Sequence, residues 1–256
     1  MFPDKVIKRF PELKTNCFLS GYVGSISHGT YSPREGSIDD KDIMAIVIPD
    51  IENYFGLEQY GSRGTKTAFV DEYDVTIYEF LKFVRLLEKG NPNVLGMLWL
   101  HEGDYLYKFD LLASYLLKNR NLFASKKVYH SFTGYAYSQL HRMTHSACKG
   151  YMGAKRKLLV EKFGYDPKNA SYLIRLLRMG IEFLNEGELH VKRKDSQQLL
   201  EIKRGEWTLD QVKNEAESLF KRAERAYDRS MLPPSPDRKK INDLTSYILY
   251  SFNGFC

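Results

Sequence analysis

Asp40 and Asp42 stand one residue apart in the segment GSISHGTYSPREGSIDDKDIMAIVIP, which begins at Gly24 and ends at Pro49. Side chains alternate across an extended chain, so the two carboxylates share one face and Asp39 falls on the other. Carboxylates at that spacing can share divalent cations. Upstream, Gly24-Ser25 makes a small turn whose backbone N–H groups and hydroxyl can meet a phosphate. The chemistry of such a set is phosphoryl or nucleotidyl transfer. That reaction uses two metal ions about 3.5–4 Å apart, bridged by carboxylates, with a third carboxylate from a neighbouring strand. Asp74, within EYDVTI, is the best third candidate. Asp71 lies nearer the loop, and Glu72 points away from the face of Asp71 and Tyr73. An isolated Asp-x-Asp is also what a turn or a solvated edge carries. The Gly-Ser before it and the apolar run after it favour the metal site.

A second group is basic. Between Lys126 and Arg178 eleven Lys and Arg residues face only Glu161 and Asp166, a net of +9 in a chain whose formal net charge is +6. A basic zone beside an acidic metal site suits a polyanion, either a nucleoside triphosphate or a nucleic acid. Its bland reading is a solvated helical face. Lys168, Tyr172, Arg175 and Arg178 recur at helical spacing and share one face. Lys168 and Arg175 are the candidate triphosphate or acceptor contacts, and Lys155-Arg156-Lys157 is a weaker candidate for an acceptor backbone.

Other patterns carry less. His141-Arg142-Met143-Thr144-His145 has arginine where a zinc-protease helix needs glutamate. Gly61-Ser62-Arg63-Gly64-Thr65-Lys66 lacks the spacing of a phosphate loop and reads as a mobile turn. His28 is as well explained by loop packing as by a ribose or phosphate contact. The aromatic run Tyr129–Tyr137 reads as helix core rather than as a base-stacking platform.

The elements that position these residues follow from periodicity. Cys17–Val23, Ile43–Ile48 and Ala68–Ile77 are strand candidates, the second stopped by Pro49. Tyr78–Glu88 is apolar at helical spacing with Gly90 as its cap, and Asn91-Pro92 opens a short helix through Leu100. Beyond Asp110 the pattern is helical: Leu111–Leu117, Lys126–Ser146, Ala154–Lys162, Pro167–Asn185, Asp195–Ile202, Leu209–Ser230 and, after Pro233-Pro234-Ser235-Pro236, Ile241–Ser251. Asp166 and Pro167 fit the N-cap and first position of a helix. The order predicts an α+β catalytic module at 1–108 with a small mixed sheet, followed by a helical substrate- and nucleotide-binding module at 109–256.

Composition bounds the setting. The chain has 256 residues, 43% of them hydrophobic, enough for a sizeable core. No apolar run reaches the ~18–20 residues a bilayer span requires, so no membrane is expected. The first residues, MFPDKVIKRFPELK, lack the apolar centre of a signal peptide, and a cytoplasmic location is expected. Cys17, Cys148 and Cys256 form no C-x-x-C pair, which argues against a zinc knuckle or a disulfide framework.

These motifs resemble the DNA polymerase beta-like nucleotidyltransferase superfamily, through Gly-Ser, a loop, Asp-x-Asp and an apolar strand. The likeness extends to the branch of predicted nucleotidyltransferases associated with RNA repair. It rests on GSISHGT, DKDIMAIVIP, YFGL (Tyr54–Leu57), Asp74–Leu95, GYDPKNASYLIRLLR (Gly164–Arg178) and LPPSPDRKKIN (Leu232–Asn242), in order over most of the chain. The resemblance implies metal binding by Asp40, Asp42 and Asp74 and phosphate contact by Gly24 and Ser25. Two departures stand out: the loop His28–Asp39 is longer than usual, and Gly96 occupies a position where this branch often has glutamate.

The expected activity is transfer of an NMP from an NTP to an acceptor hydroxyl with release of pyrophosphate. Two Mg2+ ions, or Mn2+, are the expected cofactors and an RNA or tRNA end the expected acceptor. The rival readings are the same chemistry on a protein or small-molecule hydroxyl, as in antitoxin-like and antibiotic-modifying relatives, and a non-catalytic nucleic-acid-binding module. No residue pattern selects one NTP or an oligomeric state.

Overall fold

The structure is a computed structural model that describes residues 2–33, 40–145 and 154–254. Among them are five strands: β1 (Cys17–Tyr22), β2 (Lys41–Val47), β3 (Thr65–Val70), β4 (Tyr73–Glu79) and β5 (Tyr105–Lys108). The helices, in chain order, are α1 (Asp4–Arg9), α2 (Gly24–His28), α3 (Glu52–Phe55), α4 (Phe80–Glu88), α5 (Pro92–Leu95) and α6 (Asp110–Lys118). They continue with α7 (Lys127–His145), α8 (Ala154–Phe163), α9 (Pro167–Glu186), α10 (Ser196–Lys203), α11 (Leu209–Arg229) and α12 (Arg238–Phe252). The fold is α+β with a mixed sheet, as its periodicity predicts.

The sheet runs β3-β4-β2-β1-β5. Only β2 and β4 pair in parallel; the other neighbours are antiparallel. The apolar run IMAIV is buried throughout, which makes β2 the central strand of the sheet. One face of the sheet, carrying Ile43, Ala45, Val47, Val75 and Ile77, packs on Val6, Phe10 and Leu13 from the N-terminal segment. Burying these side chains is worth roughly 1.5–3 kcal/mol each before entropy is set against it. On the same strands the alternate positions, Asp42, Met44 and Ile46 on β2 with Asp74, Thr76 and Tyr78 on β4, face the other way.

One strand expectation is corrected. Ala68–Ile77 is not a single strand but two halves of a hairpin, with Val70 opposite Tyr73. Asp71 turns the chain at φ +54, a left-handed conformation that Asp tolerates better than most residues. Tyr78 and Glu79 finish β4 rather than starting a helix. Glu79 is the N-cap of α4, its carboxylate accepting hydrogen bonds from the backbone N–H of Leu81 (2.5 Å) and Lys82 (2.9 Å). β5 was not legible, because four residues give too short a pattern to read. Gly96 has an ordinary helical φ of −56, so nothing there needs glycine's freedom. Gly61–Lys66 is a tight turn leading into β3, held by Ser62 N–H to Thr65 O at 2.8 Å and Gly64 N–H to Tyr60 O at 3.0 Å.

The chain divides into two compact units. One comprises Met1–His28, Asp40–Phe123 and Pro236–Cys256; the other comprises Gly29–Asp39 and Ala124–Ser235. The units are interleaved along the chain, so they do not coincide with a single cut after residue 108. Helices α6 and α12 belong with the sheet, where Tyr115 meets Tyr247 edge-on at 5.2 Å and Phe109 meets Phe252 at 4.6 Å. The second unit is built around α9, which packs on α7, α10 and α11. Asp166 caps α9 by accepting from Lys168 N–H (3.0 Å) and Asn169 N–H (3.2 Å), and Pro167 occupies the first position as expected. The aromatic run of α7 serves packing: Phe132 is buried, Tyr129 leans on Tyr227 at 4.7 Å, and Tyr137 stacks on Phe220 at 4.3 Å.

Candidate active site

Asp42 and Asp74 are register partners on the parallel strands β2 and β4. Partners in a ladder point to the same face, and neighbouring strands lie about 4.8 Å apart. The face is the one opposite the Val6–Phe10–Leu13 core. Both carboxylates sit near the start of their strands and are half-buried, while Asp40 immediately precedes β2 and is exposed. The hairpin brings Asp71 and Glu72 to its exposed tip, where Asp71 pairs with Lys5 at 2.5 Å and Glu72 with Lys41 at 3.3 Å. They are engaged there rather than in the Asp42–Asp74 row.

The glycine-serine segment meets this row directly. Val23 N–H donates to Asp42 O at 2.9 Å. Gly24 follows at φ +61, and a Cβ built on it would lie 1.9 Å from Asp42 Oδ2 and 2.8 Å from its Cγ. Glycine is required twice over, by the backbone conformation and by the carboxylate pressed against it. Ser25 is the second residue of α2, and Ser27 Oγ donates to Gly24 O at 3.1 Å, closing that turn. His28 is buried at the end of α2.

Hard divalent cations take carboxylate oxygens, and an in-register Asp pair with a third Asp two residues upstream is a donor set of that kind. The pair is formed; the triad is not closed, since among the described residues no group of three or more His, Cys, Asp or Glu side chains is arranged to hold a metal. Residues 34–39 of the loop His28–Asp39 lie outside the described residues, as do Cys148, Lys149, Cys256 and the side chains of Thr144, His145, Lys155 and Arg156.

Lys168 and Arg175 lie on α9, in the second unit, and each is half-buried. Arg175 stacks over the Tyr172 ring at 4.5 Å and donates to Met179 Sδ at 3.3 Å. Burial lowers its guanidinium pKa, only partly countered by Tyr172. Arg178 is committed elsewhere, donating to Asp195 (2.8 Å), Gln198 (2.6 Å) and Glu215 (2.7 Å). Part of the basic zone is therefore neutralised within its own unit. Sequence reasoning missed Phe69, the register partner of Asp74 on β3; the Asp71-Glu72 turn puts two strands where the pattern suggests one, and its residue types carry no hairpin signal.

Among solved structures, the chain is similar to a nucleotidyltransferase-like protein from Exiguobacterium sibiricum 255-15. The two share 10% identity and a TM-score of 0.31, over 96% of this chain and 77% of that one. No curated protein matches the chain. The family model of RlaP, described as the RNA repair pathway DNA polymerase beta family, matches residues 11–247. With nearly its whole length matched, this chain belongs to that family of polymerase beta-like nucleotidyltransferases, whose general chemistry is transfer of a nucleoside monophosphate.

Proposed function

We propose that this protein is a metal-dependent nucleotidyltransferase that moves an NMP from an NTP to the terminal hydroxyl of an RNA, tRNA among them, and releases pyrophosphate. The observation that carries the reading is the in-register pair Asp42 and Asp74 with Gly24 pressed against the Asp42 carboxylate. Asp42 and Asp74 would hold the divalent ions, with Asp40 as the third ligand. Bound Mg2+ or Mn2+ supplies charge neutralisation on the phosphates and an acidified acceptor hydroxyl.

The chain's own residues do the rest. The bare Gly24 backbone lets a phosphate approach next to Asp42, and Ser25 offers its N–H and hydroxyl there. Asp74, one strand over, would accept the proton of the attacking hydroxyl where the metal ions alone do not activate it. Lys168 and Arg175 add positive charge for the polyanionic substrate. The RNA acceptor is favoured by the family's description and by the basic stretch Lys126–Arg178.

Incubation of the full chain with each labelled NTP, Mg2+ or Mn2+, and either short RNA oligonucleotides or total cellular protein tests this. Label in RNA that is lost in Asp42→Asn supports the reading. Label that enters protein and never RNA sinks the acceptor assignment. No labelled product with any NTP, metal or extract sinks the enzyme.

A further inference from the structure

Three side chains form a row across the sheet: Phe69 on β3, Asp74 on β4 and Asp42 on β2, each the register partner of the next. On β3 the flanking Ala68 and Val70 pack against the apolar core on the other face. Phe69 therefore stands on the carboxylate face. It is 67% exposed, a large apolar ring left in solvent on an edge strand. Among the described residues it has no aromatic or cation–π partner. Edge strands are ordinarily protected from such rings by charge, because an exposed apolar edge invites association.

From this row we infer that Phe69 is the stacking platform for a nucleobase at the active site, a role that rests on the nucleotidyltransferase reading of Asp42 and Asp74. Strand spacing places Phe69 about 4.8 Å from Asp74 and about 9.6 Å from Asp42, backbone to backbone. A phosphate or a terminal hydroxyl at the carboxylates carries its base one ribose away, which is the distance this row offers. An aromatic face accepts any of the four bases, so the contact orients without selecting strongly. The base is that of the NTP or that of the RNA terminus, and the two are separable by experiment.

The test is equilibrium binding to the full chain in the presence of Mn2+, with ATP, inorganic tripolyphosphate and a short single-stranded RNA as separate probes. Phe69→Ala is expected to weaken either ATP or RNA about tenfold, within the range of one stacked base, and to change tripolyphosphate less than twofold. Phe69→Trp is expected to restore the affinity, with its added emission quenched by whichever base-bearing probe was weakened. That probe identifies the source of the base.

The inference is overturned if Phe69→Ala binds ATP and RNA within twofold of the parent. It is equally overturned if tripolyphosphate is lost in parallel, or if the substitution changes only the oligomeric state, which would make Phe69 a subunit contact. A parent chain that binds neither ATP nor RNA overturns both this and the reading beneath it. Retained transfer by Asp42→Asn overturns the carboxylate assignment alone, since base stacking is read from binding.

Discussion

The Asp42 carboxylate lies so close to Gly24 that the smallest side chain at that position would have to share its space, with a built Cβ 1.9 Å from Oδ2. The strand that carries the acid and the first residue of α2 are thus fitted closely to one another. Gly24→Ala places a methyl group there and also forces a φ of +61 on a residue with a Cβ. Overpacking costs about 1–3 kcal/mol and the left-handed backbone about 1 kcal/mol more. Transfer activity should fall by at least a hundredfold, because the carboxylate must leave its position, while far-UV circular dichroism stays that of the parent. Activity within tenfold of the parent would show that the contact is incidental.

The three aspartates should not be equal. Asp42 and Asp74 are half-buried register partners, whereas Asp40 is exposed ahead of β2. Asp42→Asn and Asp74→Asn should each lower the transfer rate at least a hundredfold, with melting temperatures little changed. Asp40→Asn should cost less, and part of that loss should return at raised Mg2+ or Mn2+, as expected of an outer ligand. Equal and irreparable losses at all three positions would contradict this ranking.

The site was legible in the sequence to the extent that it follows from alternation. Asp40 and Asp42 two apart before a run of apolar residues, and Asp74 in the next β-pattern, require only a period of two to fall on one face. The register that makes Asp74 the neighbour of Asp42 was not legible, because it depends on the parallel β2–β4 pairing. Phe69 was hidden for a related reason. Asp71-Glu72 is not one of the Asn-Gly or Asp-Gly pairs that announce a tight hairpin, so the pattern runs on as one strand. The helices are more legible, since apolar periodicity marks their bodies and Asp166-Pro167 marks the start of α9 by local chemistry; the Thr208–Gln211 capping box of α11 is a finding of the structure. The roles of the arginines on α9 needed tertiary structure: spacing puts Arg175 and Arg178 near one another, but only packing shows Arg178 spent on Asp195 and Glu215.

Arg193 and Asp195 form the hub of the second unit's ion-pair network. The Arg193 side chain is 4% exposed and binds Glu182 at 2.5 Å and Asp195 at 2.8 Å. Burial alone would raise the Asp195 carboxyl; hydrogen bonds from Arg193 and Arg178 outweigh it and hold the pKa below the ordinary 3.8. A depressed carboxylate stabilises the folded state in full above its ordinary pKa, and the contribution fades as pH falls through and below that value. Arg193→Met should therefore cost about 1–3 kcal/mol near neutral pH, because the half-buried Glu182 and Asp195 lose their buried partner while Asp195 keeps Arg178. It should also lose less stability than the parent between pH 5 and pH 3, because part of the acid-sensitive contribution is already gone. Urea unfolding at a series of pH values reads both effects. Parallel pH curves for parent and variant would remove Asp195 from the account.

Cys17 opens β1 with its side chain buried, 2% exposed, opposite Val47. Desolvation in the sheet interior pushes its thiol up to about 12. The thiolate is the reactive form. At pH 8 a thiol at that value carries about a thousandfold less thiolate than one at the ordinary 9.0. Burial adds a steric barrier to any reagent. Native protein treated with iodoacetamide at pH 8 should leave the Cys17 peptide unmodified over hours, and the same peptide should label fully once the chain is unfolded in urea. Because access is limited by opening of the sheet, core substitutions beside it, such as Val47→Ala, should speed the native labelling in proportion to the stability they remove. Labelling of native Cys17 at the rate of a small free thiol would mean that the first strand is not held in the sheet as described.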